Sequence, residues 1–458
     1  MRRVQVFEAS SFYQVMVLAA ALDAGSFGDA DERILLTSAN AEVPEVAPRI
    51  DEVPGAAALL LRFDRTASYN DVIHPLHPSL FRPRVPEQPL FERAFRRALG
   101  LADDDLVELA VESVHVPPAR TILNIFAEAP VTVYAEGLMS YGPTRDPLTP
   151  VMVDRVRSVL YLDLVRGLLP ELLREYRVPA VAIPEHAFRQ VVAELAGATA
   201  AAPVGEPYAL ILGQYLASLH LLSRRAELEL YAGLIRTAAG RGLRTVVMRP
   251  HPSAPGHDVE SLRMAALESG VRFELDTDPV PVEARYHRDP PALVLGCFST
   301  GLVTAQRYFG LPAGSAGAAA VRAALPRFED SNRIPLVIVE HVIPRVDEDA
   351  PALAAPDPIA LQALLSALGY CMQWRAHAAD RARTAAYLRR TPDPASFIPR
   401  SRRRELLLPG GWPLTLGPSR FARWSGRATV ARARAAQALA LARHVAGAAS
   451  PPADRRRA

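Results

Sequence analysis

Lysine is absent from all 458 residues, so the 52 basic side chains are all arginine. A chain without lysine cannot build a G-x-x-x-x-G-K phosphate loop, and no G-x-G-x-x-G follows a strand-like run, which excludes P-loop and common dinucleotide-binding chemistry. Cysteine is almost absent too. Cys297 and Cys371 alone exclude a disulfide scaffold and a multi-cysteine zinc or iron-sulfur site. No apolar stretch reaches the roughly 18 uninterrupted residues that a membrane-spanning helix needs. The opening Met1-Arg2-Arg3 is basic, but the apolar run Phe12 to Leu22 is short, follows Glu8 and has no small-residue cleavage site, so no secretory leader is expected. The expected location is the cytoplasm.

What is present is a large apolar inventory. Half of the residues are hydrophobic and 22% are charged, enough for a sizeable core and inconsistent with a mainly disordered, collagenous or coiled-coil chain. At roughly 150 residues per domain the length predicts two or three domains. Arginine without lysine, together with abundant Ala and Pro, is the signature of a GC-rich bacterial genome. The net charge of +3 conceals a division: residues 400–458 carry 13 Arg against Glu405 and Asp454, a net +11, and taking +11 from +3 leaves −8 for residues 1–399. Two readings of the basic tail stand side by side, genome-wide arginine bias and contact with an anionic membrane surface at the inner face. Nucleic-acid binding ranks behind both, because the tail has no recognisable fold and no interleaved aromatics.

Apolar periodicity predicts a strand at Val4 to Phe7, a cap at Glu8 to Ser11 and a helix over Phe12 to Ala24. Strand-length runs follow at Ile34 to Leu36, Ala57 to Phe63, Leu106 to Val111 and Val131 to Tyr134, with helices at Phe91 to Leu99 and Arg120 to Phe126. A long helix is expected over Met152 to Tyr176 and a strand at Val178 to Ile183. Residues 196–207 (AGATAAAPVGEP) are small, Pro-containing and aperiodic, and read as a linker. A second alternating series then predicts strands at Tyr208 to Leu212, Arg244 to Met248, Val271 to Leu275, Ala292 to Gly296 and Ile334 to Val339. Helices are expected at Ala226 to Gly240, Glu260 to Ser269 and Pro356 to Arg389, and an Arg-rich helix over Ala428 to Ala446. Such alternation argues for parallel sheets covered on both faces, with ligands at the carboxyl ends of the strands.

Three strand ends carry chemistry. Val131-Thr-Val-Tyr-Ala-Glu136-Gly137 delivers a carboxylate to a loop that Gly137 is expected to turn sharply. Arg249-Pro250-His251-Pro252 combines a guanidinium and an imidazole, both able to donate to phosphate oxygens, in a loop stiffened by proline. Gly296-Cys297-Phe298-Ser299-Thr300-Gly301 sets hydroxyls at a helix N-terminus. Each also has an ordinary reading: a solvated glutamate, a histidine capping a carbonyl, a simple N-cap. Cys297 reads as a small buried residue. The cluster His74-Pro75-Leu76-His77-Pro78 reads as a stiff loop or as part of an acceptor side. No pattern suggests a metal.

Taken together and in this order, YAEGLMSYGP, RPHP and CFSTGL, with the opening VQVFEASSFYQVMVLAAALDAG, resemble the bacterial polysialyltransferase-like family, with its [D/E]-[D/E]-G, HP and S-[S/T] motifs, over residues 3–345. The resemblance implies an α/β chain of GT-B type, two Rossmann-like domains facing each other across a cleft. Its expected divisions are an acceptor-side domain 1–195, the linker 196–207, a nucleotide-sugar domain 208–390 and an Arg-rich extension 391–458. It further implies an inverting, metal-independent glycosyltransferase that makes cell-surface polysaccharide, taking sialic acid or a related nonulosonic acid from a CMP-sugar to a glycan hydroxyl, with no cofactor beyond that donor substrate. Glu136 would be the base and His251 catalytic, Arg249, Glu283, Ser299 and Thr300 would bind the donor, and Gly137 and Pro252 would set loop geometry. The chain departs from the family in one respect: the first acidic position is Ala135, so the base is either lost or shifted by one residue. Two other classes therefore stay open, a GT-B enzyme acting on a UDP-sugar (a glycosyltransferase or an epimerase) and a non-catalytic glycan- or nucleotide-binding protein.

Overall fold

The protein is described from a computed structural model that covers residues 1–199, 203–251, 259–346, 357–391 and 397–411. Pro252 and the segment 428–446 lie outside the described residues. The chain forms two compact units, Met1–Arg381 and Ala382–Ala458. The first contains both sheets. Within the second, the described helices are the greater part of Arg381–Arg390 and the short Arg400–Glu405.

Seven parallel strands make the first sheet: β1 (Arg3–Ala9), β2 (Glu32–Thr37), β3 (Arg65–Ser68), β4 (Leu106–Val111), β5 (Val131–Ala135), β6 (Val156–Leu162) and β7 (Ala180–Ile183), in the order β3-β2-β1-β4-β5-β6-β7. Five more make the second: β8 (Tyr208–Leu212), β9 (Thr245–Arg249), β10 (Arg272–Leu275), β11 (Leu293–Gly296) and β12 (Ala313–Ser315), in the order β10-β9-β8-β11-β12. The central strands are buried along almost their whole length, as expected for parallel sheets clad by helices on both faces. Strand order reverses direction at β1/β4 in one sheet and at β8/β11 in the other. Such switch points open crevices at the carboxyl ends of the strands.

Three expectations fail in instructive ways. The run Ala57 to Phe63 is a helix, Ala56–Leu60, because alanine and leucine are the strongest helix formers and Gly55 starts the turn. Ile334 to Val339 belongs to the helix Arg333–Val342, whose burial on nearly every side erases the polar face that would have marked its period. Met152 to Tyr176 is not one helix. A short helix Pro150–Arg155 gives way to β6, where Val156, Val159 and Tyr161 suit a buried strand better than a helix face. The helix Glu185–Gly197 also runs two residues into the expected linker.

Contacts between the two sheet-bearing halves hold the crevice. Arg307, on the helix Thr300–Phe309 that follows β11, donates to Glu185 Oε2 at 2.6 Å and to Asp163 Oδ2 at 3.2 Å. The closing helix Pro358–Met372 returns to the first half, where Ser366 Oγ and Gln362 Nε2 donate to the buried Glu171 carboxylate at 2.5 and 2.7 Å.

Candidate functional site

A cavity of about 510 Å³ lies where the carboxyl ends of both sheets converge. Glu136, Gly137, Ser299, Thr300 and His251 all line it. The first two follow β5 of one sheet, His251 follows β9 of the other, and Ser299 and Thr300 follow β11. Local rules position them. Ser299 caps the helix Thr300–Phe309, its Oγ accepting from Gly301 N at 3.2 Å, so the positive end of that helix opens toward the cavity. His251 packs against Tyr215, ring centroids 4.5 Å apart, and burial pushes its pKa below the usual imidazole value.

Gly137 differs from its expected role. Its φ of −143° is open to any residue, so no sharp turn requires a glycine there. The contact there is steric: a Cβ at 137 would stand 3.2 Å from Thr300 Oγ1, so the acidic loop of one half lies close against the hydroxyl loop of the other and an added side chain would press on Thr300.

Two sequence-derived candidates do not reach the cavity. Arg249 is committed to its own scaffold: its guanidinium donates to Asp276 Oδ2 at 3.0 Å, to the Asp278 carbonyl at 2.7 Å and to the Val280 carbonyl. These bonds tie the end of β9 to the segment Asp276–Val280, and Arg249 is not among the residues that line the cavity. Glu283 is buried on the helix Val282–Arg288, its Oε1 accepting from Thr304 Oγ1 at 2.9 Å, and burial raises its pKa. Glu283 is thus engaged within the second half and does not line the cavity, so the structure does not place it on the ribose of a ligand there.

The cavity also contains residues that sequence reasoning missed. Glu112, just past β4, and Glu136, just past β5, flank the same amide: Gln14 Nε2 donates to Glu112 Oε2 at 2.7 Å and to Glu136 Oε1 at 3.2 Å. Gln14 is held in turn by the Ser10 backbone N–H, which donates to its Oε1 at 2.6 Å. Two carboxylates sharing one partly desolvated site cannot both ionise freely. Burial first, and the Glu112 charge second, push Glu136 up to about 8, while the Gln14 hydrogen bond pulls the other way. Its Oε2 is buried without a protein hydrogen-bond partner. Glu112 is also raised, chiefly by burial.

A third carboxylate stands behind this pair. Glu8, at the end of β1, is fully buried and raised by desolvation, and Ser38 Oγ donates to its Oε1 at 3.4 Å. His115 lines the same wall, depressed to about 4 by burial, and is therefore a neutral imidazole at ordinary pH. None of these had a sequence signal, since one Glu or Gln near a strand end looks like many others. Only their register across β1, β4 and β5 distinguishes them.

Ala135 sits on the last residue of β5, buried in the first core. Among the described residues no group of three or more His, Cys, Asp or Glu is arranged to hold a metal ion, and no helix is long and apolar enough to cross a membrane.

Chemically, the arrangement sets an electron-rich carboxylate pair on one side of a cleft and an imidazole, two hydroxyls and a helix N-terminus on the other. That is what a group transfer needs, a proton acceptor for the nucleophile facing donors for an anionic leaving group.

Comparison with known proteins agrees in kind. The family model described as alpha-2,8-polysialyltransferase (POLYST) matches residues 5–317. No curated protein matches the chain. Similar solved structures include MurG of Acinetobacter baumannii (12% identity, 80% of this chain and 91% of that one, TM-score 0.38). A sialyltransferase GT-B domain from Photobacterium damselae shares 12% identity, covering 74% and 96%, with a TM-score of 0.38. A UDP-GlcNAc 2-epimerase from Methanocaldococcus jannaschii shares 8%, covering 80% and 99%, with a TM-score of 0.42. Likenesses this loose say nothing of substrate. The family match spans more than half of the sequence and includes all three motif loops that converge on the cavity, so the chain belongs to the alpha-2,8-polysialyltransferase family and is a GT-B glycosyltransferase of the sialyltransferase type.

Proposed function

We propose that the protein transfers sialic acid, or a related nonulosonic acid, from its CMP-linked form to a hydroxyl of a glycan, with inversion and without a metal or other cofactor. The observation that carries this reading is the single cavity in which Glu136 of the first sheet faces His251, Ser299 and Thr300 of the second.

In the reaction the acceptor oxygen attacks the anomeric carbon of the keto sugar, and its proton passes to the Glu136 carboxylate. The bond from the anomeric carbon to the phosphate oxygen breaks, and its electron pair leaves with CMP. Glu136 suits the first task because burial and Glu112 raise its basicity toward working pH. His251, as a neutral imidazole, donates one N–H to the departing phosphate. The Ser299 and Thr300 hydroxyls and the helix N-terminus meet the remaining charge. Arg249, held by Asp276 and the carbonyls of Asp278 and Val280, makes no contact with the phosphate. The base has one carboxylate fewer along the chain than the family pattern, and Glu112 supplies a second in space.

The basic tail adds a peripheral contact with anionic lipid, which keeps the enzyme near membrane-attached acceptors. Ligand-induced stabilisation tests the donor assignment. CMP at 100 times its dissociation constant should stabilise the fold by about 2.7 kcal/mol, UMP should do markedly less at equal concentration, and CMP release from CMP-sialic acid should depend on an acceptor. Preferential stabilisation by UMP would overturn the donor.

A further inference from the structure

A second and larger cavity, about 1240 Å³, lies in the first half beside the catalytic one. Its walls are the carboxyl ends of β1, β2 and β3 and the loops that follow them. Two segments join the cavities. Ser10 lines the large one while its backbone N–H holds Gln14, the amide that bridges Glu112 and Glu136. Ser218 likewise lines the large cavity while its neighbour Leu219 lines the catalytic one.

The walls are built. Ala39 is clamped by a reciprocal pair, its N–H donating to Asn70 Oδ1 at 2.9 Å and its carbonyl accepting from Asn70 Nδ2 at 3.0 Å. His77 Nε2 lies 2.8 Å from the Ala41 carbonyl and its Nδ1 2.7 Å from Ser79 Oγ, so this histidine of the His-Pro cluster is a fastener.

The surface chemistry discriminates between ligands. Three exposed carboxylates, Glu42, Glu45 and Asp71, line the cavity. The one arginine among the described lining residues, Arg49, is already paired with Asp51 at 3.0 and 3.2 Å. A polyanion entering here would meet three like charges and no free guanidinium, with the imidazoles of His74 and His77 as the other basic groups among the described lining residues, His77 already engaged. Alongside these stand hydroxyl and amide groups and two apolar side chains left exposed to solvent, Val43 (51%) and Leu76 (54%). That mixture matches a neutral sugar, whose C–H faces pack on apolar groups while its hydroxyls exchange hydrogen bonds.

We propose that this cavity binds an uncharged stretch of the acceptor, several neutral sugar residues leading their terminal hydroxyl toward Glu136. The inference rests on the transferase reading above and departs from what the family name implies, an acceptor that is itself polyanionic.

The test uses the full chain on a glycan array carrying neutral oligosaccharides and α2,8-linked oligosialic acids, with three proteins: the wild type, Asn40→Trp, and Val43→Ser combined with Leu76→Ser. These positions are exposed, so the variants should fold. The expected result is wild-type binding to neutral glycans that changes little between low and high salt, and weakening by about tenfold or more in both variants, equivalent to about 1.4 kcal/mol. Stabilisation by CMP should be retained throughout. Wild-type binding confined to oligosialic acids, no binding to neutral glycans, or variants that bind as the wild type does would each overturn the proposal. Loss of the CMP response in the wild type would instead strike the donor assignment, which the array does not read.

Discussion

If Glu136 is the base and Glu112 tunes it, the pH dependence of turnover must respond to both. A carboxylate base acts only when ionised, and its ionised fraction grows as pH rises through its pKa. With Glu136 held near 8, kcat/KM should climb about tenfold per pH unit up to about 8 and level off near pH 9. Both carboxylates lie within hydrogen-bond reach of one nitrogen, so the nearest oxygens of the pair are separated by about 6 Å or less.

At 6 Å, two unit charges repel by about 2.8 kcal/mol at an effective dielectric of 20 and by about 0.7 kcal/mol at 80. Glu112→Gln should therefore move the rising limb to lower pH by roughly 0.5 to 2 units. The smaller figure corresponds to the dielectric of 80 and the larger to that of 20. The limb belongs to the pair as a whole, so its displacement is the quantity to measure. Glu136→Gln should instead lower turnover by roughly 10² to 10⁴ on the high-pH plateau, the usual span for losing a general base, and by less at low pH, where the wild-type carboxylate is already protonated. The assay is CMP release from CMP-sialic acid with the acceptor well below its KM, between pH 5.5 and 9.5. An unmoved limb in Glu112→Gln would refute the coupling. A Glu136→Gln enzyme that kept its rate and its limb would place the base elsewhere.

Four other outcomes are expected. The folded state holds the Glu136 proton more tightly than the unfolded chain, so the stability this group contributes at pH 4.5 and below is lost as pH rises toward about 8. Glu136→Gln should thus raise Tm at pH 8.5 while leaving it nearly unchanged at pH 4.5, and equal shifts at both would contradict the assignment. His251→Ala should weaken stabilisation by CMP more than it lowers the Tm of the free protein. Arg249→Ala should do the reverse, costing somewhat less than the roughly 3–5 kcal/mol of a broken buried ion pair, because Arg285 still reaches Asp276 at 2.9 Å. Truncation after Gly411 should reduce association with anionic vesicles at low salt and lose that difference at high salt, where surface charge is screened. Undiminished association would assign the tail's arginines to genome composition alone.

Much of this architecture is local and so could be read along the chain. Strands β1, β2, β4, β5, β8, β9 and β11 announce themselves as short apolar runs between capping and turn residues, because each must fill a buried slot in a sheet covered on both sides. The motif residues Glu136, His251, Ser299 and Thr300 stand at fixed offsets past those strands, and parallel topology sends every strand end of a sheet to the same edge. Where local reading failed, burial had erased the signal. The helix Arg333–Val342 is apolar on nearly every side and reads as a strand, and Ala56–Leu60 is too short to show a period.

The amino-acid sequence by itself determined the alternating α/β order, the absence of lysine-dependent phosphate loops and the three loops that carry the chemistry. Tertiary structure decided how these loops share a charge. Glu112 and Gln14 lie 24 and 122 residues from Glu136 and become its neighbours only because β1, β4 and β5 are adjacent strands. Arg249, two residues from His251, is drawn away by Asp276 and two carbonyls, a choice made by partners 27 to 31 residues downstream. A side chain's chemistry is fixed by its type, but its pKa and its direction depend on what packs around it, and those neighbours are brought in by the fold.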